Sequence, residues 1–262
     1  MGMLKISLPD SLSHEYASGT TVGEIVRNAY GKKSGAVAAL VDGEERDFSY
    51  VLEQDCDIEP ILGDTEAGRY ILRHSCAHLL AQAVVEIYPD AQPTIGPPIE
   101  NGFYYDFKMD PVGDGDLKKI EKKMQEHIRA NHTLTREEHD NRTLRDMFAG
   151  NPFKIEIMND KIGVDIGSSA YRQGDFVDLC LGPHVPSTSY LRWFKLTGTS
   201  QAYWKGDSSK ESLVRIYGMC FSSKDELRER ERQIEEAKKR DHKKIGKEME
   251  LYMIDEMIGK GL

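Results

Sequence analysis

The sequence has no long apolar run, and this absence bounds the class of protein. Its 262 residues contain no stretch of about 18 consecutive apolar residues, the length that a membrane-spanning helix needs. The first residues also have no apolar core of the kind found in a secretory signal peptide. We therefore expect a cytoplasmic protein with no membrane partner.

Paired cysteines and a positive charge surplus are also missing. The four cysteines have no C-x-x-C spacing, which favours reduced thiols over a disulfide framework; they are Cys56, Cys76, Cys180 and Cys220. Lysine and arginine number 35 against 44 acidic residues, and the net charge of −9 argues against a broadly basic nucleic-acid coat. No G-x-x-x-x-G-K-[ST] phosphate loop occurs, so the sequence does not resemble a GTPase.

The first part of the chain, residues 1–62, predicts a small ubiquitin-like β-grasp domain. Residues 4–8 alternate like a strand, and residues 21–29 have the apolar spacing of a helix. A short apolar run at 37–41 precedes an Asp42-Gly43 turn, as in a hairpin.

The remainder predicts a larger α+β domain with a mainly antiparallel sheet and two long helices. A boundary near residue 63 precedes a helix from Thr65 to about Tyr88, and a second helix follows from the spacing of Leu117, Ile120, Met124 and Ile128. The predicted strands are 102–107, 153–158, 176–180, 194–204 and 213–217. In the strand 153–158, alternation would place Lys154 opposite the isoleucines, where it would be either exposed or active. From Asp225 the composition is strongly helical.

Two clusters of histidine and cysteine, about a hundred residues apart, are the most informative pattern. In His74-Ser-Cys-Ala-His78 the two imidazoles lie four residues apart, on one face of the predicted helix. Cys180-Leu-Gly-Pro-His184 contains a glycine and a proline, so it must lie on a loop or a strand end. If the two segments meet, their side chains could transfer protons, attack a carbonyl or bind zinc.

The residues alone leave these alternatives open. Two histidines can simply share a partly buried helix face, but three histidines and one cysteine also form a plausible tetrahedral zinc set. Asp178 precedes Cys180 by two residues and would face the same side of a strand. It could orient a histidine or anchor a substrate amine, or be a solvated carboxylate.

A dense set of motifs resembles the N-terminal region of bacterial threonyl-tRNA synthetases. The motifs are Arg73-His-Ser-Cys-Ala-His78, Ile95-Gly-Pro97, Asn101-Gly-Phe-Tyr-Tyr-Asp106, Val177-Asp-Leu-Cys180, Gly182-Pro-His-Val-Pro186, Ala202-Tyr-Trp-Lys-Gly-Asp207, Arg215-Ile-Tyr-Gly218 and Lys239-Arg-Asp-His-Lys-Lys-Ile-Gly246. The resemblance implies a TGS domain at 1–62 and an editing domain at 63–224 that hydrolyses mischarged Ser-tRNA(Thr). A linker helix at 225–242 and the start of a truncated class II aminoacylation domain at 243–262 would follow.

The resemblance also implies the residues of the editing pocket: His74, His78, Tyr105, Lys154, Asp178, Cys180 and His184. We expect His74 and Cys180 to hold and activate water, and Lys154 and Asp178 to position polar groups of the seryl-adenosine end. His78, Tyr105 and His184 would bind substrate, although Tyr105 could equally be a core residue. A thioester on Cys180 is the alternative route.

The same resemblance implies the cofactors and partners. We expect editing without a metal, although the cluster of His74, His78, Cys180 and His184 would be the site if zinc bound, as in alanyl editing domains. ATP, magnesium and another zinc would belong to the missing aminoacylation domain, so this chain should lack ligase activity. The partner would be the acceptor end of tRNA(Thr), and the parent enzyme a homodimer through the missing domains. The rival functions are a non-catalytic RNA-binding regulatory module, a zinc-dependent alanyl-type hydrolase and a freestanding editing factor.

Overall fold

The computed structural model describes residues 2–9, 13–31, 33–160 and 169–240. The chain divides into two compact units, one ending at Ser222 and one beginning at Ser223. The architecture is α+β, as the sequence predicts. The expected start of an aminoacylation domain at 243–262 lies outside the described residues.

The first part of the larger unit is a mixed five-stranded sheet with one helix. Its elements are β1 Met3–Ser7, β2 Ser13–Ala17, α1 Val22–Tyr30, β3 Ala36–Val41, β4 Glu44–Arg46 and β5 Cys56–Leu62. The strand order is β2-β1-β5-β3-β4, and β1 runs parallel to β5 while the other pairs are antiparallel. Alternating residues of β1, such as Leu4 and Ile6, are buried beneath α1 in a separate apolar core. This is the predicted β-grasp arrangement.

A larger set of helices and antiparallel strands follows. It comprises α2 Glu66–Ile87, β6 Gln92–Pro93, β7 Pro98–Ile99, β8 Gly102–Lys108, α3 Asp114–Ala130, β9 Leu134–Glu138, α4 Asn141–Met147, α5 Pro152–Asp160, β10 Ser169–Gln173, β11 Phe176–Leu179, β12 Trp193–Tyr203 and β13 Ser212–Phe221, with short 3-10 turns at Thr188–Leu191 and Trp204–Gly206. One sheet has the order β12-β13-β8-β6, with β7 also paired to β8, and a second has the order β11-β10-β9.

Helix α2 forms the centre of the main core. Thr65 caps it by accepting a hydrogen bond from the backbone N–H of Gly68, and the sequence Pro89-Asp90 follows its end, as predicted. Its side chains pack against α3 and β8, and also against Val37 and Ile61 of the N-terminal sheet. Because α2 contacts both parts of the unit, it fixes the position of its histidines relative to both.

One predicted element is wrong. Residues 153–158 belong to the helix α5 and not to a strand. Asn151 starts this helix, since its side-chain oxygen accepts from the backbone N–H groups of Phe153 and Lys154, and Pro152 takes the first helical position. A six-residue alternation was too short to outweigh these two signals of a helix start.

The second unit contains the helix α6, Lys224–Lys239. It begins one residue before the predicted start of the linker helix at residue 225. Within the described ranges, none of the helices is long and apolar enough to cross a lipid bilayer.

The start of α2 packs so closely on β5 that it tolerates no side chain at Gly68. A Cβ there would lie 1.9 Å from the carbonyl oxygen of Leu62, whereas a Cβ at Gly115, in the first turn of α3, would meet nothing within 4 Å. We predict that Gly68→Ala lowers the free energy of unfolding by about 1–3 kcal/mol. Gly115→Ala should leave it unchanged or raise it by up to about 1 kcal/mol. Urea denaturation followed by tryptophan fluorescence measures both, and equal effects would contradict this close packing.

Candidate active site

The two histidine and cysteine clusters meet at one place. Helix α2 carries His74 and His78, and the segment after β11 carries Cys180 and His184. The sulfur of Cys180 lies 3.2 Å from Nε2 of His74 and 3.3 Å from Nε2 of His184. The ring of His184 is 4.3 Å from each of the other two imidazoles, measured between centroids. Three imidazoles and one thiol therefore form a single cluster.

Ser75 fixes how His184 is protonated. Its hydroxyl donates to the carbonyl of Ile71 at 2.8 Å, so its oxygen accepts from the backbone N–H of Val185 and from Nδ1 of His184, at 3.0 Å each. A hydroxyl has only one proton to donate. This arrangement places the proton of a neutral His184 on Nδ1, and its Nε2 lies 3.3 Å from the sulfur of Cys180.

A buried ion pair lies beside this cluster. The ammonium of Lys154, on α5, is 2.5 Å from Oδ1 of Asp178, on β11, and also donates to the hydroxyl of Tyr105 at 3.1 Å. Tyr105, on β8, donates to Oδ2 of Asp178 at 2.6 Å. All three side chains are at most 3 % exposed. His78 connects the two groups, since its Nε2 is 4.0 Å from Oδ2 of Asp178.

Burial keeps the imidazoles neutral. It lowers the pKa of His74 to about 3, with a further contribution from the charge of His78, and lowers the pKa of His78 to about 4 although Asp178 opposes this. Burial and the other two histidines lower the pKa of His184 well below its usual range. A charged imidazolium would lose its hydration here. All three rings are therefore uncharged near neutral pH.

Burial raises the pKa of the Cys180 thiol, whereas neighbouring groups outweigh the same effect at the Asp178 carboxyl group. Burial raises the pKa of Cys180 to about 12, despite the N–H of Gly182 directed at its sulfur, so the residue is a thiol near neutral pH. Burial alone would also raise the pKa of Asp178, but the ammonium of Lys154 and the hydrogen bond from Tyr105 lower it. The site therefore contains one stable carboxylate and no thiolate.

Only part of the cluster is accessible to a substrate. His74 and Cys180 are partly exposed, whereas His78 and His184 are at most 5 % exposed. The reactive end of a substrate would thus meet the imidazole of His74 and the thiol first. The buried ion pair lies behind them.

The cluster could also hold a metal such as zinc. One ligand atom from each of His74, His78, Cys180 and His184 lies within 4.8 Å of the others. Zinc takes sulfur and nitrogen ligands at about 2.3 Å and about 2.0 Å, which suits donors this close. The hydrogen bond that Nδ1 of His184 donates to Ser75 is also typical of a metal-bound histidine, whose far ring N–H is held by a neighbouring acceptor. The donor set therefore fits zinc.

The structure places all seven residues expected in the pocket within this one region: His74, His78, Tyr105, Lys154, Asp178, Cys180 and His184. Lys154 reaches the site from a helix and not from the predicted strand, and it is buried and paired. Tyr105 is a core residue, since its ring stacks on Phe107, and its hydroxyl binds Asp178. Its contact with substrate stays a prediction.

Three residues that support the site were missed in the sequence. Tyr171 lies opposite Asp178 in the β10–β11 hairpin, and only a prediction of this strand pairing could have indicated its place near the site. Asp47 lies in the N-terminal sheet region and no local pattern indicates it. Ser75 follows His74 in α2 and lies on another side of the helix. The spacing of the two histidines therefore gives no indication that Ser75 contacts the site.

Comparison with known proteins agrees with this geometry. Residues 169–217 match the model of the threonyl and alanyl tRNA synthetase second additional domain, a range that includes Asp178, Cys180 and His184. The chain is 42 % identical over 269 residues to the threonine–tRNA ligase of Exiguobacterium sp., covering 100 % of this chain and 41 % of that protein. It is 42 % identical to the ligase of Staphylococcus epidermidis, with the same coverage, and 43 % identical to threonine–tRNA ligase 1 of Bacillus subtilis, covering 99 % and 41 %.

The chain spans about two-fifths of the length of the curated relatives it matches. The similarity runs along the whole chain and includes both parts of the larger unit. The resemblance seen in the motifs is thereby confirmed: the chain corresponds to the N-terminal two-fifths of bacterial threonine–tRNA ligases and contains the second additional domain of threonyl- and alanyl-tRNA synthetases.

Proposed function

We propose that this chain is an aminoacyl-tRNA deacylase that hydrolyses mischarged Ser-tRNA(Thr). The observation that carries the proposal is the contact of a neutral His74 with the thiol of Cys180 at the accessible end of a buried polar cluster. The whole-length similarity to threonine–tRNA ligases supplies the substrate class. The acceptor end of tRNA(Thr) would be the partner.

The physical need for such a site follows from the size of a methyl group. A pocket that selects threonine over serine gains only about 1–3 kcal/mol from one additional carbon, so serine is attached too often. A second site that accepts serine and excludes threonine corrects this error. The side chains of Lys154, Tyr105 and His78 are buried, and an additional methyl that such a wall cannot accommodate costs about 1–3 kcal/mol.

The proposed reaction is attack of water on the ester that joins serine to the terminal ribose. His74 accepts a proton from the water while the water oxygen bonds to the carbonyl carbon, and Cys180 holds the water through its thiol. When the bond from that carbon to the ribose oxygen breaks, the proton passes to the ribose oxygen. The products are serine and tRNA with a free hydroxyl.

The buried ion pair would position the substrate. An ammonium has three N–H donors, and contacts with Asp178 and Tyr105 use two of those of Lys154. The third can hold a polar group of the seryl-adenosine end. Asp178, which stays ionised, places negative charge near the amino group of serine. His78 and His184 would complete the wall of the pocket.

Hydrolysis of Ser-tRNA(Thr) beside Thr-tRNA(Thr) tests the proposal. We predict rapid release of serine and far slower release of threonine, and a loss of about 10²-fold or more in serine release for His74→Ala. His139→Ala is the matched control, because that histidine pairs with Glu137 outside the site. Equal cleavage of both substrates would contradict an editing role. Binding of tRNA with no cleavage would favour the non-catalytic RNA-binding module.

The pH dependence tests the protonation states. The pKa values of His74 and His78 are lowered to about 3 and about 4 and that of Cys180 is raised to about 12, so none of these groups titrates near neutral pH. We predict that kcat/KM for enzymatic serine release changes less than about threefold between about pH 5 and about pH 7, below the range in which the α-amino group of the substrate titrates. A rise of about tenfold per pH unit, together with an acid-stable seryl-thioester on Cys180, would support a thiolate nucleophile instead.

A zinc-dependent hydrolase is the second candidate function, and the fit of the four donors to zinc favours it. We propose metal-free editing because the resemblance to threonyl-tRNA synthetases implies it. Elemental analysis of the purified chain and a deacylation assay in chelator distinguish the two. We predict substoichiometric zinc and unchanged serine release. One zinc per chain whose removal abolishes release would establish the metal-dependent reaction.

A further inference from the structure

A buried carboxylate of the N-terminal sheet region reaches the loop that carries the thiol. Asp47 directly follows β4 and is 8 % exposed. Its Oδ1 accepts from the backbone N–H of His184 at 2.6 Å, and its Oδ2 accepts from the hydroxyl of Tyr171 at 2.5 Å. These partners lie 137 and 124 residues further along the chain. A buried carboxylate is costly unless it is hydrogen-bonded in this way.

Tyr171 extends the effect of Asp47 to the turn between Cys180 and His184. Its ring is 4.4 Å from that of His184 in an edge-on arrangement. Its hydroxyl fills the place that a side chain at position 182 would need, since a Cβ on Gly182 would lie 1.8 Å from it. Gly182 has a φ of +74° and directs its N–H at the sulfur of Cys180. The hydroxyl bound by Asp47 thus packs directly against the turn.

His184 is held at three points, and Asp47 supplies one of them. Its backbone N–H binds Asp47, its Nδ1 binds Ser75 and its Nε2 contacts the sulfur of Cys180. Ser75 fixes the ring from the side of α2. Asp47 fixes the backbone, and this contact joins the N-terminal part of the chain to the loop.

We propose that Asp47 is a positioning residue for deacylation, by which the N-terminal domain holds the loop of Cys180 and His184 in its reactive geometry. This inference rests on the function proposed above. Asp47 binds the backbone N–H of His184 and not an imidazole ring or the thiol of the cluster. It acts through His184 and Tyr171, and so sets the distance from the thiol to His74.

Three variants and one control test this role in the complete chain. Asp47→Ala removes both acceptors and should lower kcat for serine release by about 10- to 100-fold with KM nearly unchanged, since small displacements of reacting groups cost this much. Asp47→Asn keeps an oxygen for the N–H of His184 and an amide for the hydroxyl of Tyr171, and should restore most of the rate. Tyr171→Phe keeps the ring and should lie between the two. Glu45→Ala removes an exposed carboxylate on β4, two residues before Asp47, and should match the wild type.

A second readout separates positioning from mere stability. With histidines labelled at their ring carbons, Asp47→Ala should shift the NMR signals of His74 and His184 and leave that of His139 in place. A lower melting temperature with unchanged kcat and unchanged ring signals would overturn the proposal. If Asp47→Ala does not fold, a wild-type kcat in Tyr171→Phe overturns it equally. Failure of the wild-type chain to release serine would instead overturn the proposed function itself.

Discussion

The rest of the site depends on the contact of the Cys180 thiol with the imidazoles of His74 and His184. It requires a helix buried deeply enough to hold His74 and His78 on a fixed face and a loop that returns Cys180 and His184 to that face. Burial then determines the protonation states, because charged imidazole or thiolate would lose its hydration. The outcome is a set of neutral groups, three imidazoles and one thiol, of which His74 and Cys180 are partly exposed. Such a set suits the activation of water better than direct attack by sulfur.

The pair of Lys154 and Asp178 provides what the neutral cluster lacks. Two opposite charges are buried together with the hydroxyl of Tyr105 between them, so that each has partners for its polar atoms. Removal of either partner would leave an uncompensated buried charge, which costs about 3–5 kcal/mol. The pair therefore gives the pocket two opposite charges that compensate each other. Asp47 has a comparable function on the other side of the loop, where its hydrogen bonds join the N-terminal sheet region to His184.

Much of the fold could be predicted from local signals, and the departures have local causes too. Thr65 and Pro89 delimit the helix of the histidines, and the glycine and proline after Cys180 exclude a regular helix, so the two site segments were predictable. Residues 153–158 alternate like a strand, but the helix start at Asn151 and Pro152 determines their structure, and the prediction of a strand was wrong. Asp47 was not predictable, because its importance arises from tertiary contacts with residues 124 and 137 positions further along the chain, which no local pattern indicates. Tyr171 could be found only from its pairing with Asp178 in the β10–β11 hairpin.

The most direct measurement is a structure of this chain bound to a non-hydrolysable seryl-adenosine mimic. If water is activated by the cluster, the carbonyl carbon will lie beside His74 and the thiol of Cys180, with a water molecule within hydrogen-bond distance of both. The amino group of serine will face Asp178, and its hydroxymethyl group will fill the space next to Lys154. Binding elsewhere on the chain, or a pose with the carbonyl turned away from His74, would contradict the central claim.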